Sequence, residues 1–122
     1  MRALIISAAL FAVVVIFVFS SSAWLSGFFS RLLYEAEGLA DIDSPDASVK
    51  ADKTADEWKK GKFAVLLFFD KEETDNIDSS LDKLINAVKN KDEKEYTAAK
   101  IQLRYEIKRM KDMLDIRFEN IF

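Results

Sequence analysis

From Ala3 to Phe19 the only residue that is not apolar is Ser7, and no charge occurs from Ala3 to Ser30. A stretch without a polar face does not read as the core helix of a water-soluble protein. Crossing the hydrocarbon of a bilayer takes about 20 apolar residues. The run is slightly shorter than that, but Ser20, Ser21 and Ser22 can bond back to their own helix carbonyls, and Ala23, Trp24 and Leu25 then resume the apolar character. Trp24 stands where an interfacial aromatic anchor belongs. The pattern predicts a transmembrane anchor over 1–29 and a water-facing helical domain over 30–122.

Arg2 and the terminal amine flank one end of the span, and the nearest charge beyond the other end is Arg31. Positive charge near the start favours a single pass through the cell membrane, with the N-terminus cytoplasmic and the domain extracytoplasmic. The alternative is a secreted protein: Ser21-Ser22-Ala23 is an acceptable small-residue cleavage site for a signal peptide. The apolar run is longer than the usual signal core and the helical pattern continues through the cut, so the uncleaved anchor is the preferred reading.

Beyond the span the apolar positions recur every three or four residues. Phe28, Phe29, Leu32, Leu33, Ala36 and Leu39 extend the membrane helix into an amphipathic one ending near Gly38 to Asp41. Ser44, Pro45 and Asp46 suit an N-cap, a first helical position and an acidic first turn. The second helix they open carries Ala47, Ala51, Ala55 and Trp58 on one stripe, with Gly61 as its expected stop. A long third helix is expected with Phe63, Leu67, Asp70, Thr74, Ile77, Leu81, Leu84 and Val88 on one face. Asn90-Lys91-Asp92 reads as a turn, and Tyr96, Ala99, Leu103, Ile107, Met110 and Leu114 mark the fourth helix. A short connection makes helices three and four an antiparallel hairpin. The apolar end, with Ile116, Phe118, Ile121 and Phe122, is expected to dock onto the bundle. The fold class is therefore all-α, with about four helices in hairpins; a compact bundle and a repeat-like superhelix both fit the pattern.

Composition narrows the chemistry. The 122 residues include 3 Gly and 1 Pro, too few for a turn-rich β architecture. After position 30 lie all 21 acidic and 17 of the 18 basic residues, a net charge of −4 that gives no basic footprint for nucleic acid. Cysteine and histidine are absent, which removes disulfides, thiolate chemistry, the commonest general base and the commonest metal ligand. No phosphate-binding glycine loop and no nucleophile elbow occurs. A non-enzymatic protein without cofactors is expected.

One segment interrupts the third apolar face: Asp70-Lys71-Glu72-Glu73-Thr74-Asp75. A carboxylate near a core stripe must be paired, bound to a cation or solvated. Folding the hairpin about residue 91 brings Glu73 opposite Arg109, so an ion pair that fixes register is the preferred reading. The functional reading is a polar ligand or divalent-cation site on Asp70 and Glu73. It lacks the central Gly of a calcium loop and the Glu-x-x-His motifs of a di-metal bundle.

The whole pattern resembles a bacterial family, the domain-of-unknown-function family numbered 4363. It rests on the single N-terminal membrane segment, the Trp in Asp56-Glu57-Trp58, and the run Leu66-Leu67-Phe68-Phe69-Asp70-Lys71-Glu72-Glu73-Thr74-Asp75-Asn76-Ile77. A Leu-rich helix pair and the ending Asn120-Ile121-Phe122 complete it. The family pattern often has His where this chain has Lys71, a departure that weakens any metal or acid–base use of the segment. The resemblance implies topology and location, and no activity. The expected partners are the membrane and another protein, either a surface partner or a multi-pass membrane protein beside the span.

Overall fold

The computed structural model describes residues 1–121, with side chains at 118, 120 and 121 outside the description. Among the described residues four helices follow one another: α1 (Arg2–Glu37), α2 (Ala47–Leu66), α3 (Lys71–Asn90) and α4 (Glu93–Ile121). Each packs on its neighbours in sequence, and α4 closes back on α1. Among the described residues no contact crosses the diagonals. The result is a closed antiparallel four-helix bundle, which decides between the two arrangements the sequence pattern allowed.

Helix α1 is one unbroken rod of 36 residues. Its two parts differ completely in environment. Residues 1–20 are exposed apart from the half-buried Val15 and Val18, whereas Leu25, Phe28, Phe29, Leu32 and Ala36 are buried. The bundle core thus begins at Leu25. Large aromatic side chains fill its end nearest the exposed shaft: Phe28 lies 6.3 Å from Trp58 and Phe29 meets Phe69 edge-on at 5.9 Å. Toward the other end the small residues Ala36, Ala47, Ala51, Ala87 and Ala99 are buried beside Leu39 and Tyr96. There the Tyr96 hydroxyl donates to the Ala40 carbonyl and ties α4 to the segment after α1. Burial, with help from Asp41, holds that hydroxyl's pKa above its ordinary value.

Three expected boundaries move. Ser44 does not cap α2: its Oγ accepts from the Asp46 amide at 3.2 Å in a local turn, and the helix starts at Ala47. Gly61 does not stop α2. It is buried inside the helix, where a Cβ would overlap the Phe28 ring, so the glycine is a packing device. The long third helix does not exist as one piece. The chain leaves α2 at Leu66, turns through 67–70 and re-enters a helix at Lys71. Phe63 and Leu67, expected on its buried face, are exposed. Asn90-Lys91-Asp92 turns as expected: Lys91 takes the left-handed conformation at φ 51°, and the Asp92 amide donates back to Ala87 O at 2.9 Å. Asp92 then caps α4, its Oδ1 accepting from the Glu95 amide at 3.1 Å.

Candidate functional site

The acidic segment acquires a different meaning from that break. Asp70 is exposed and sits in extended backbone as the residue before α3, and Glu72 and Glu73 occupy the first turn. Carboxylates there meet the positive end of the helix dipole. The segment is a helix start, not an interruption of a core stripe. Thr74, one turn in, is fully buried and donates its hydroxyl to Lys71 O at 2.8 Å.

Glu73 and Arg109 are both partly buried, and no ion pair joins them within 4.0 Å. Glu73 Oε2 and Arg109 Nε are each buried without a hydrogen-bond partner. Among the described residues no three acidic side chains come together as a cation cage. Of the two residues expected to anchor the span, Arg2 opens α1, and Trp24 is half-exposed, stacked on Phe28 at 5.4 Å. Ile116 does not dock onto the bundle; it is exposed. The expected docking of the tail through Ile121 and Phe122, with Phe118, lies outside the described residues.

Beside the Glu35–Lys53 ion pair of α1 and α2 at 3.8 Å, side-chain hydrogen bonds join further pairs of helices that the apolar pattern alone left unassigned. Between α2 and α3, the carboxylate of Asp78 accepts from Trp58 Nε1 at 2.7 Å and from Lys62 Nζ at 2.5 Å. The hydrogen bond to Asp78 is the main reason that Lys62 titrates above the ordinary lysine value of 10.5. Between α3 and α4, Glu106 is buried and accepts from Ser80 Oγ and Gln102 Nε2, both at 2.9 Å. A shallow groove of about 370 Å³ opens beside it, lined by Asn76, Ser79 and Lys83 as well. Both Glu106 oxygens are engaged, and every donor they meet is neutral. The signal for these hydrogen bonds lay in carboxylates, Asp78 and Glu106, at helical spacing from buried positions on their own helices (Ile77 to Leu81, Leu103 to Ile107).

The class follows from fold and site together. This is a small all-α protein in which one long apolar helix supplies both an exposed shaft and one wall of an antiparallel four-helix bundle. The model of the family described as "Domain of unknown function (DUF4363)" matches residues 36–121, and the chain belongs to that family. The match starts at the end of α1 and takes in α2, α3 and α4. No curated protein and no solved structure matches the chain.

Proposed function

We propose that the protein is a membrane-anchored, non-enzymatic module whose helical bundle binds another protein close to the bilayer on the extracytoplasmic side. One observation carries the reading. Residues 3–18 of α1 form an exposed apolar shaft, with Val15 and Val18 half-buried, in a helix long and apolar enough to cross a membrane, and the same helix carries the core residues Leu25, Phe28 and Phe29. Exposed apolar surface on this scale needs a non-aqueous surround. A bilayer matches its length: Ala3 to Trp24 rises about 33 Å as α-helix, close to the thickness of a hydrocarbon core. Because shaft and wall are one rod, the bundle is held at a fixed height above the lipid.

A protein partner is favoured by what the outer surface displays. Tyr34 on α1 and Ile101 and Tyr105 on α4 are exposed well away from the shaft. Tyrosine is enriched at protein interfaces. The hydroxyl–carboxylate pair of Ser80 and Glu106 is buried, and Glu106 is held on both oxygens as a link between helices.

The test is cross-linking of the full chain in membranes, compared with a chain whose residues 3–19 are replaced by an unrelated membrane span. A partner retained by the exchanged chain and lost with Ile101→Asp and Tyr105→Ala supports binding by the bundle. A partner lost on exchanging the span alone, or unaffected by both surface substitutions, means that recognition lies in the membrane helix.

A further inference from the structure

The end of the bundle that faces the shaft carries an apolar patch at the end of α2, flanked by the exposed charged residues Asp70, Lys71 and Glu72 at the start of α3. Phe63 and Leu66 on one face of the end of α2 and Leu67, the residue that caps it, are 76, 41 and 57% exposed; Ile116 near the end of α4 is 57% exposed. Their level relative to α1 follows from packing. Phe28 of α1 lies against Trp58 and over Gly61 of α2. In an antiparallel pair with that register, Phe63 falls level with Leu25, and Leu66 and Leu67 fall near Ser22 and Ser21. At an α-helical rise this places the two leucines about 3–5 Å nearer the apolar shaft than Trp24. On the far side of the same end, Arg117 lies over the Phe69 ring at 4.9 Å and donates to Phe68 O, so α4 also reaches this level.

We infer that this patch inserts into the headgroup–acyl boundary of a phospholipid bilayer, seating the bundle directly on the lipid surface. The inference rests on the anchored reading and extends it from one helix to the whole end of the domain. Continuity decides the occupant. If Trp24 marks the interface, the residues level with Ser21 and Ser22 already lie below it, and the bilayer that covers the shaft covers them too. Amphipathic surfaces gain by placing Phe and Leu at this depth. The exposed Lys59 and Lys60, one turn farther from the shaft than Phe63, stand at headgroup height, where their ammonium groups meet lipid phosphates. The seat also constrains tilt. A lone helix leaves a domain free to swing, whereas a helix plus the exposed apolar residues of α2 and α4 gives contacts on more than one side.

The chain has no cysteine, so single cysteines can be introduced without removing any. A polarity-sensitive fluorophore is attached to Leu66→Cys in the full chain, reconstituted in vesicles of phosphatidylcholine and phosphatidylglycerol. Phe11→Cys reports the shaft and Ser48→Cys the opposite end of the bundle. Quenching is compared between nitroxide-labelled lipids and aqueous iodide. The expected result is strong lipid quenching at Phe11→Cys and Leu66→Cys, and iodide quenching at Ser48→Cys. Leu67→Cys should repeat the pattern of Leu66→Cys. Iodide quenching at Leu66→Cys with lipid quenching intact at Phe11→Cys overturns the inference and leaves the anchor standing. Protection of Leu66→Cys from both quenchers also overturns it, because a second copy or another protein then covers the patch. Loss of lipid quenching at Phe11→Cys removes the anchor itself, and the inference with it.

Discussion

Two glycines in this chain have opposite meanings. Gly27 lies in α1 with nothing within 4 Å of where a Cβ would be, while at Gly61 that Cβ would overlap the Phe28 ring. Gly27→Ala should therefore stabilise the protein by about 1 kcal/mol through helix propensity. Gly61→Ala should destabilise it by about 1–3 kcal/mol, since overpacking exceeds the propensity gain. Thermal unfolding of both variants in one detergent checks the sign of each. A second residue-scale expectation concerns Asp78. Asp78→Ala leaves the indole N–H of the buried Trp58 without an acceptor and should cost about 1–3 kcal/mol. Asp78→Asn keeps an acceptor for the indole but removes the carboxylate whose hydrogen bond, and then whose charge, raises the pKa of Lys62. A group whose folded pKa is raised adds stability that is fully present below its unfolded value and is lost as pH rises through the folded one. The difference in Tm between the wild type and Asp78→Asn should thus hold steady to neutral and mildly basic pH. Above the ordinary lysine value of 10.5 it should shrink.

At the scale of elements, the buried stripes were legible and their ends were not. Ala47, Ala51, Ala55 and Trp58 on α2, and all six marked positions on α4, are buried as the spacing predicted. The break at 67–70 was hidden because Phe63 and Leu67 continue a three-to-four spacing straight into Thr74 and Ile77. The turn therefore leaves no gap in the apolar periodicity. The signal that marks it is polar: Asp70 followed three residues later by Glu73, the signature of a helix start. Gly61 misled in the other direction, since a glycine that ends a helix and one that admits a neighbour's ring look alike in one sequence. The candidate site at Asp70 and Glu73 was built on that missing turn. The contacts that join helices, Asp78 to Trp58 and Glu106 to Ser80, depend on inter-helix register, which spacing along one chain does not reveal. The turn between α3 and α4 offers a test at this scale. Lys91 is the one non-glycine residue with positive φ among the described residues, in the position where glycine is preferred. Lys91→Gly should gain about 1 kcal/mol by relieving that conformation, readable as a higher Tm. No gain would mean that the Lys91 side chain contributes as much as its backbone costs.

For the molecule as a whole, the central feature is that a single helix belongs to two environments. Its apolar shaft was evident from composition alone, and so was the continuation of the pattern past Trp24. What the sequence left open was how far α2 reaches along α1 toward the shaft. The packing of Phe28 over Gly61 answers that, because it fixes the register that carries Leu66 and Leu67 past Trp24. It also follows that removing residues 1–30 would delete Leu25, Phe28 and Phe29 from the core, so anchor and domain are best separated by exchanging residues 3–19. Cleavage after Ala23 would instead spare every core residue and release an intact bundle. The anchored account and the secreted account thus differ by one covalent bond. The mass of the mature protein recovered from alkaline-washed membranes distinguishes them: the account predicts a chain that retains its N-terminal helix and stays in the membrane pellet, and a chain beginning at Trp24 in the soluble fraction would contradict it.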